Sequence, residues 1–141
     1  MTDKPISASR TVRILVLDDN ASFTALMAML LGEQGYQVDM ALEGETALQL
    51  MTNKSYDILL VDLNLPDMQG DAFIEIARQC CPAAKTVLVS ANPEVNQYAK
   101  ACRADDVFFK GESVMMLFAQ VLSLATPIEG ARAVVCAAEH P

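Results

Sequence analysis

"VRILVLDDN", residues 12–20, carries an apolar run straight into two adjacent carboxylates. The run at 12–18 is rich in β-branched and aliphatic residues without a helical period, which predicts a buried β-strand. Asp18 and Asp19 then place two like charges at the end of that strand, and such charges repel each other unless a cation joins them. The segment therefore predicts both the first strand of a sheet and a site that needs a positive partner.

The rest of the chain alternates short apolar runs with helical periodicity. Phe23, Leu26, Met27 and Leu30 recur at the spacing of a helix, which Gly35 is expected to end. Further strands are predicted at 36–41, 56–62, 85–91 and 106–110, and further helices around 47–51, at 71–81, from Pro93, and from Ser113 to near Pro127. Five β-then-α units in strict alternation predict a doubly wound α/β fold with a parallel sheet.

Composition restricts the class of protein. The chain has 141 residues, 52% of them hydrophobic, and a net charge of −8, which suits one folded domain and disfavours nucleic acid and anionic membranes as partners. The most apolar segment, 114–125, is too short to span a bilayer. We expect an N-terminal extension at 1–11, a domain at 12–126 and a C-terminal tail at 127–141.

The expected compartment is the cytoplasm. The first ten residues are polar and lack the apolar core of a secretion signal. The cysteines show no spacing typical of a metal finger or a redox motif: Cys80, Cys81, Cys102 and Cys136.

Chemistry-bearing residues fall at the carboxyl ends of the predicted strands. Those ends are Asp18-Asp19, Asp62, Ser90 and Lys110. In an open parallel sheet, ligands bind at this edge, so we expect the side chains to share one crevice. Each residue taken alone is more typical of a solvated loop, and only their joint placement indicates a site.

Three clustered carboxylates suit Mg²⁺, a hard cation that takes one or two carboxylates and keeps several waters. Asp19 and Asp62 are candidates for direct ligands, with Asp18 acting through water. Lys110 adds a mobile positive charge for a phosphoryl group, and Ser90 a hydrogen-bond donor. The set fits phosphoryl transfer with Asp62 as a carboxylate nucleophile that forms an acyl phosphate.

Four segments carry a resemblance to a known family. These are "LVLDDN", "LLVDLNLPDMQG", "VLVSAN" and "ADDVFFK", in order along residues 12–125. Together they resemble the receiver domains of bacterial two-component response regulators, here of the stand-alone type. The resemblance implies a flavodoxin-like (βα)5 fold with strand order 2-1-3-4-5.

The resemblance also implies a role for each site residue. Asp62 would accept a phosphoryl group from a sensor histidine kinase, Ser90 would be the switch hydroxyl, and Lys110 would contact the phosphate. The Mg²⁺ ligands would be Asp18, Asp19, Asp62 and the backbone carbonyl of Asn64.

Three positions depart from the family pattern. Val107 stands where members usually have Tyr or Phe, and its stiff, short side chain cannot make a ring's inward swing. Gly111 stands where proline usually follows the lysine, so we expect a trans, more mobile Lys110–Gly111 link. Arg103 replaces a usual glycine in a slightly short segment, which predicts a truncated or irregular fourth helix. All three lie on the face that members use for output.

Three functions compete. The first is a phosphorylation-dependent, non-enzymatic module that switches contacts between a histidine kinase or phosphotransfer protein and a downstream protein target, with dimer formation left open. The second is a receiver-fold scaffold that does not switch. The third is a Mg²⁺-dependent phosphatase, which is disfavoured because Asn64 occupies the position where such enzymes carry a second acid.

Overall fold

The computed structural model describes residues 11–138, with side chains to residue 129. Residues 1–10 of the predicted extension and 139–141 of the predicted tail lie outside the described residues. Five strands alternate with five helices: β1 (Arg13–Leu17), α1 (Ala21–Gly32), β2 (Gln37–Ala41), α2 (Gly44–Asn53), β3 (Ile58–Asp62), α3 (Gly70–Cys80), β4 (Lys85–Ser90), α4 (Val95–Cys102), β5 (Asp106–Phe109) and α5 (Val114–Ala138).

The five strands form one parallel sheet in the order β2-β1-β3-β4-β5. This confirms the predicted fold class and strand order. β3 lies at the centre, and all five of its residues are buried. A continuous apolar strand of this kind is typical of a parallel sheet that is covered by helices on both faces.

The side chains of the central strands alternate between two apolar cores. Leu15 and Leu59 belong to the core under α2, α3 and α4, whereas Ile14 and Ile58 belong to the core under α1 and α5. Because successive side chains of a strand point to opposite faces, each strand contributes to both layers. The two cores fix the sheet between its helices, and the strand ends therefore have little freedom to separate.

The first and fourth helices differ from their predicted bounds. α1 ends at Gly32, and Gly35, expected as its end, lies in the turn before β2 with a φ of 91°. α4 begins at Val95, not at Pro93, and its eight residues make it the shortest helix among residues 11–138. The expected truncation of this helix is confirmed.

The prediction that the last helix ends near Pro127 was wrong. α5 continues through Pro127 to Ala138. Proline removes one backbone donor and usually ends or kinks a helix, but the segment that follows is rich in alanine, the best helix former.

Within residues 11–138, no helix combines the length and apolar character that a membrane crossing requires.

β5 places its apolar residues as strand alternation predicts. Val107 packs against the core under α4, and Phe108 is buried in the opposite core. Phe109, on the side of Val107, remains 37% exposed. No cis peptide bond occurs in the described part of the chain, which confirms the expected trans link between Lys110 and Gly111.

The end of α4 is closed by a residue in the left-handed conformation. Arg103 has a φ of 59°, the sole positive φ of a non-glycine residue between residues 11 and 138. The N–H of Ala104 donates to the carbonyl of Ala99 at 2.9 Å, as in the usual left-handed helix cap. From α3, Arg78 Nη2 donates to the carbonyl of Arg103 at 2.8 Å. These bonds use only the backbone of Arg103 and Ala104. The Cβ of Arg103 adds the steric cost of the left-handed conformation.

We expect Arg103→Gly to stabilise the protein by about 0.5–1 kcal/mol, because glycine adopts the left-handed conformation without the Cβ penalty. The bond from Arg78 involves the backbone carbonyl and is retained. Urea unfolding measures the change, with Lys100→Gly on the exposed side of the last turn of α4 as the control, expected to lose up to about 1 kcal/mol. A loss of stability in Arg103→Gly would contradict this account of the turn.

Candidate functional site

The carboxyl edge of the sheet collects the predicted site residues. Asp62 is the last residue of β3 and Ser90 the last of β4. Asp18 directly follows β1, and Lys110 directly follows β5. Because β1, β3, β4 and β5 are neighbours in this order, the four strand ends form one crevice.

Backbone hydrogen bonds continue beyond the strands and hold these positions. The N–H of Asp18 donates to the carbonyl of Ala41 at 3.0 Å, and the N–H of Lys110 donates to the carbonyl of Ser90 at 2.8 Å. Between them, the N–H of Leu63 donates to the carbonyl of Val89 at 2.8 Å. The side chains of the site therefore extend from a fixed backbone.

Three carboxylates meet at the centre of the crevice. Asp18, Asp19 and Asp62 each place an oxygen within 4.8 Å of the other two. Asp18 and Asp62 are buried, with 1% and 6% exposure, whereas Asp19 is exposed. Negative charges at this separation and burial repel strongly, so the arrangement favours a bound cation.

Lys110 supplies the positive charge among the described side chains of the cluster. Its Nζ lies 2.7 Å from Asp18 Oδ2 and 3.8 Å from Asp62 Oδ2. The same ammonium lies 4.9 Å from the ring centre of Phe23 on α1, a cation–π contact. One ammonium thus faces three carboxylates, and the cluster keeps a net negative charge.

The pKa of Asp62 reflects this imbalance. Burial, and after it the neighbouring charge of Asp18, raises the pKa of Asp62 from its ordinary 3.8 to about 6. The ammonium of Lys110 and the N–H of Asn64, which donates to the carboxylate, oppose the rise without cancelling it. The protein alone therefore disfavours the ionised form of Asp62.

The two carboxylate oxygens of Asp18 make different contacts. Its Oδ1 accepts the N–H of Asn20 at 2.9 Å, while Asn20 Oδ1 caps α1 by accepting the N–H of Phe23 at 3.0 Å. Its buried Oδ2 forms an ion pair with the ammonium of Lys110 and accepts no hydrogen bond. This oxygen, with those of Asp19 and Asp62, offers the hard ligands that Mg²⁺ prefers.

Ser90 is fully buried next to β3. Val89 pairs with Asp62 across the sheet, so Ser90 lies one residue beyond Asp62 on the neighbouring strand. Its Oγ accepts the N–H of Asn92 at 3.0 Å, which leaves the hydroxyl proton available for donation. Asn92 Oδ1 in turn accepts the N–H of Glu94 at 2.8 Å, and these bonds shape the loop that leads to α4.

Two residues of the site were not assigned to it from the sequence. Phe23 was given only to the buried period of α1, and its contact with Lys110 joins residues far apart in the chain. The sequence marks Gly70 only as a residue that breaks regular structure in the loop after the third strand. Its N–H donates to the carbonyl of Leu63 at 2.6 Å, and a Cβ there would overlap the carbonyl oxygen of Asp62. Glycine at this position therefore lets α3 begin directly against the end of β3.

Known proteins share this fold. A CheY-like response regulator receiver domain protein from Methanospirillum hungatei superposes with a TM-score of 0.75 and 24% identity, covering 88% of this chain and 98% of the other. A response regulator from Burkholderia pseudomallei, solved with a phosphorylated aspartic acid and a calcium ion, gives a TM-score of 0.71 at 24% identity, covering 92% and 75%. At this level of identity the likeness establishes the fold.

Sequence comparison identifies the family. The sensor histidine kinase RcsC of Escherichia coli is 36% identical over 91 residues, which are 64% of this chain and 10% of RcsC. The transcriptional regulatory protein DltR of Streptococcus agalactiae is 28% identical over 83 residues, 59% of this chain and 37% of DltR. The chain thus spans about a tenth of the sensor kinase and about a third of the regulator. The model of the response regulator receiver domain matches residues 14–121, and the chain therefore belongs to the receiver domain family of two-component signalling.

Proposed function

We propose that Asp62 accepts a phosphoryl group, in the presence of Mg²⁺, and that its phosphorylation changes the protein contacts of this receiver domain. The observation that carries this proposal is the burial of Asp62 beside Asp18, Asp19 and a single ammonium. Such a carboxylate is short of positive charge before the reaction and is placed where a cation and a phosphoryl group can both be bound.

Mg²⁺ fits the residues that are present. Three carboxylates supply oxygen ligands, and one of these oxygens is buried without a hydrogen bond. We assign the protein ligands to Asp18, Asp19, Asp62 and the backbone carbonyl of Asn64. When bound, the ion would neutralise charge on the carboxylates and on the phosphoryl oxygens.

The transfer itself requires few groups. An oxygen of ionised Asp62 attacks phosphorus, the new O–P bond forms, and the bond to the leaving group breaks with its electron pair staying on that group. Lys110 Nζ, 3.8 Å from Asp62 Oδ2, is placed to bind one phosphoryl oxygen, and the hydroxyl of Ser90 another. The protein contributes position and charge, which dominate the catalysis of phosphoryl transfer.

The donor follows from the class of relatives. RcsC and EvgS of Escherichia coli are sensor proteins, and each contains a segment similar to this chain. We therefore propose a histidine kinase or a phosphotransfer protein as the donor and a separate protein as the target. The acidic surface, with a net charge of −8, supports a protein target over nucleic acid.

We expect acetyl phosphate and Mg²⁺ to form one acid-stable, base-labile adduct on Asp62. Intact-mass spectrometry and peptide mapping measure its stoichiometry and its site. Asp62→Asn should abolish the adduct because an amide cannot be the nucleophile, while Glu75→Gln on the exposed side of α3 should not change it.

Omission of Mg²⁺ should reduce the extent of this modification strongly. An adduct that forms equally well in EDTA, or on a residue other than Asp62, would contradict the proposed site. Many turnovers of a small phosphomonoester would instead support the phosphatase alternative.

Switching is tested separately from phosphorylation, because Val107 replaces the usual ring on the half-buried side of β5. We expect beryllofluoride with Mg²⁺ to shift backbone amide NMR signals in β5 and at the start of α5 as well as at Asp62. Signal changes confined to residues near Asp62 would favour the non-switching scaffold. So would a partner protein that binds equally well with and without beryllofluoride.

The raised pKa of Asp62 predicts the pH dependence of stability in EDTA. A carboxyl whose pKa is higher in the folded state binds its proton more tightly there, so its stabilising effect is present below pH 4 and is lost as the pH rises to about 6. Asp62→Asn should therefore be more stable than the wild type at pH 7, by up to about 3 kcal/mol, and should approach it near pH 4.

Urea unfolding at several pH values measures this difference. Glu75→Gln, which removes an exposed carboxylate, is the control and should follow the wild-type curve. A constant difference between wild type and Asp62→Asn from pH 4 to 7 would show that the acceptor is not destabilised when ionised.

A further inference from the structure

The loop between β3 and α3 is held at two places. At its base, the N–H of Gly70 donates to the carbonyl of Leu63, and Asn64 pairs with Gln69 in an antiparallel bridge. At its tip, Asp67 reaches the first turn of α2. Its Oδ1 accepts the N–H of Gly44 at 2.8 Å, and its Oδ2 accepts the N–H of Glu45 at 2.9 Å.

The tip contact satisfies a need of α2 that its own residues leave unmet. The first N–H groups of a helix have no partner within it, and a side chain just before the helix usually accepts one of them. Glu43 occupies that place in α2, yet its side chain makes no capping bond. Asp67, 22 and 23 residues away, serves as the cap with both carboxylate oxygens. These hydrogen bonds lower the pKa of Asp67, which keeps it ionised.

Apolar packing supports the same contact. The side chain of Met68 lies over Gly44, where a Cβ would come within 2.6 to 2.9 Å of its Sδ, Cγ and Cε atoms. Met68 is partly buried against the core under α2 and α3. A charged bond and an apolar contact from adjacent residues therefore fasten one loop to one helix end.

The same loop connects the contacts of Asp67 and Met68 with α2 to Asp62. Asn64 is two residues after Asp62, its N–H donates to the Asp62 carboxylate, and the proposed function assigns its carbonyl to the metal. Its peptide is constrained by the base of the loop on one side and by the tip on the other. Without the contact between Asp67 and α2, only the hydrogen bonds at the base of the loop would orient the carbonyl of Asn64.

We propose, on the basis of the proposed function, that Asp67 is a positioning residue: it clamps the 63–69 loop to α2 and thereby fixes Asn64 for metal binding. Asp67 touches neither the metal nor the phosphoryl group. Its effect is expected on the affinity for Mg²⁺ and not on the chemistry at Asp62.

Asp67→Ala should raise the dissociation constant for Mg²⁺ about 10-fold, the lower end of what indirect supports of metal ligands contribute. Isothermal titration calorimetry without a phosphoryl donor measures it. Glu43→Ala removes the same charge beside the same helix end without removing a capping bond, and it should stay within about twofold of the wild type.

Two further measurements separate positioning from a merely structural role. In Asp67→Ala, amide exchange at Gly44, Glu45 and residues 64–68 should accelerate, while α5 keeps its protection. With acetyl phosphate, the Mg²⁺ concentration for half-maximal phosphorylation should rise about 10-fold, whereas the rate at saturating Mg²⁺ should match that of the wild type. A purely structural role would lower the melting temperature and leave the Mg²⁺ affinity of the folded protein unchanged.

The outcomes are distinct. If the wild type binds Mg²⁺ and Asp67→Ala binds it equally well, the clamp is not a positioning device and the inference is overturned. If the wild type itself neither binds Mg²⁺ nor is modified at Asp62, the proposed function fails first. Should Asp67→Ala not fold, Asp67→Asn decides, because it retains one acceptor oxygen: weaker Mg²⁺ binding than in the wild type supports the clamp, and equal binding overturns it.

Discussion

The structure depends on an unresolved excess of negative charge at one edge of the sheet. Three carboxylates lie within 4.8 Å of one another, and one ammonium faces them. Burial prevents water from screening Asp18 and Asp62, so the repulsion persists unless a proton or a cation is bound. Burial, and after it the charge of Asp18, raises the pKa of Asp62 within the protein itself. The same excess makes the site receptive to a divalent cation and to the phosphoryl chemistry that we propose.

The fold keeps these charges together despite their repulsion. Each carboxylate lies at the end of a strand that is packed on both faces, and backbone bonds from Asp18 to Ala41 and from Leu63 to Val89 continue the ladder past the strand ends. Relief by moving apart would require breaking those bonds and opening two apolar cores. The stability of the sheet therefore supports a site that is itself unfavourable. Such a distribution is common where function requires a strained or charged arrangement.

Much of this arrangement was predictable from the sequence because it follows from short-range patterns. Continuous apolar runs identify the strands, and the rule that ligands bind at strand carboxyl ends predicts one crevice for Asp18, Asp62, Ser90 and Lys110. The polar network around them was less accessible. A contact between Asp67 and the first turn of α2 spans more than twenty residues and leaves no periodic signal.

The predicted start of α4 and the predicted end of α5 were wrong because local sequence signals were overridden by the surrounding structure. Pro127 is a strong local breaker, yet α5 continues past it, since one missing donor is a limited cost in a helix of 25 residues with an alanine-rich end. Pro93 suited the start of α4 by the local rule, but the helix begins after the turn that Asn92 stabilises through Glu94. Phe23 fitted the helical period correctly, and its second contact, with Lys110, arises only when β5 is placed beside β4.

Lys110 contacts both carboxylates of the buried pair and directly precedes the link to α5. In the unphosphorylated protein its ammonium is nearer to Asp18 than to Asp62, at 2.7 against 3.8 Å, and it rests against Phe23. The phosphoryl group that we propose on Asp62 would add negative charge near this ammonium and compete with Asp18 for it. The backbone of Lys110 is bonded to Ser90, so the side chain can respond while the end of β5 stays in register. Because Val107 stands in place of a ring, we expect the proposed response to pass from Lys110 through the trans link to Gly111 and into the start of α5.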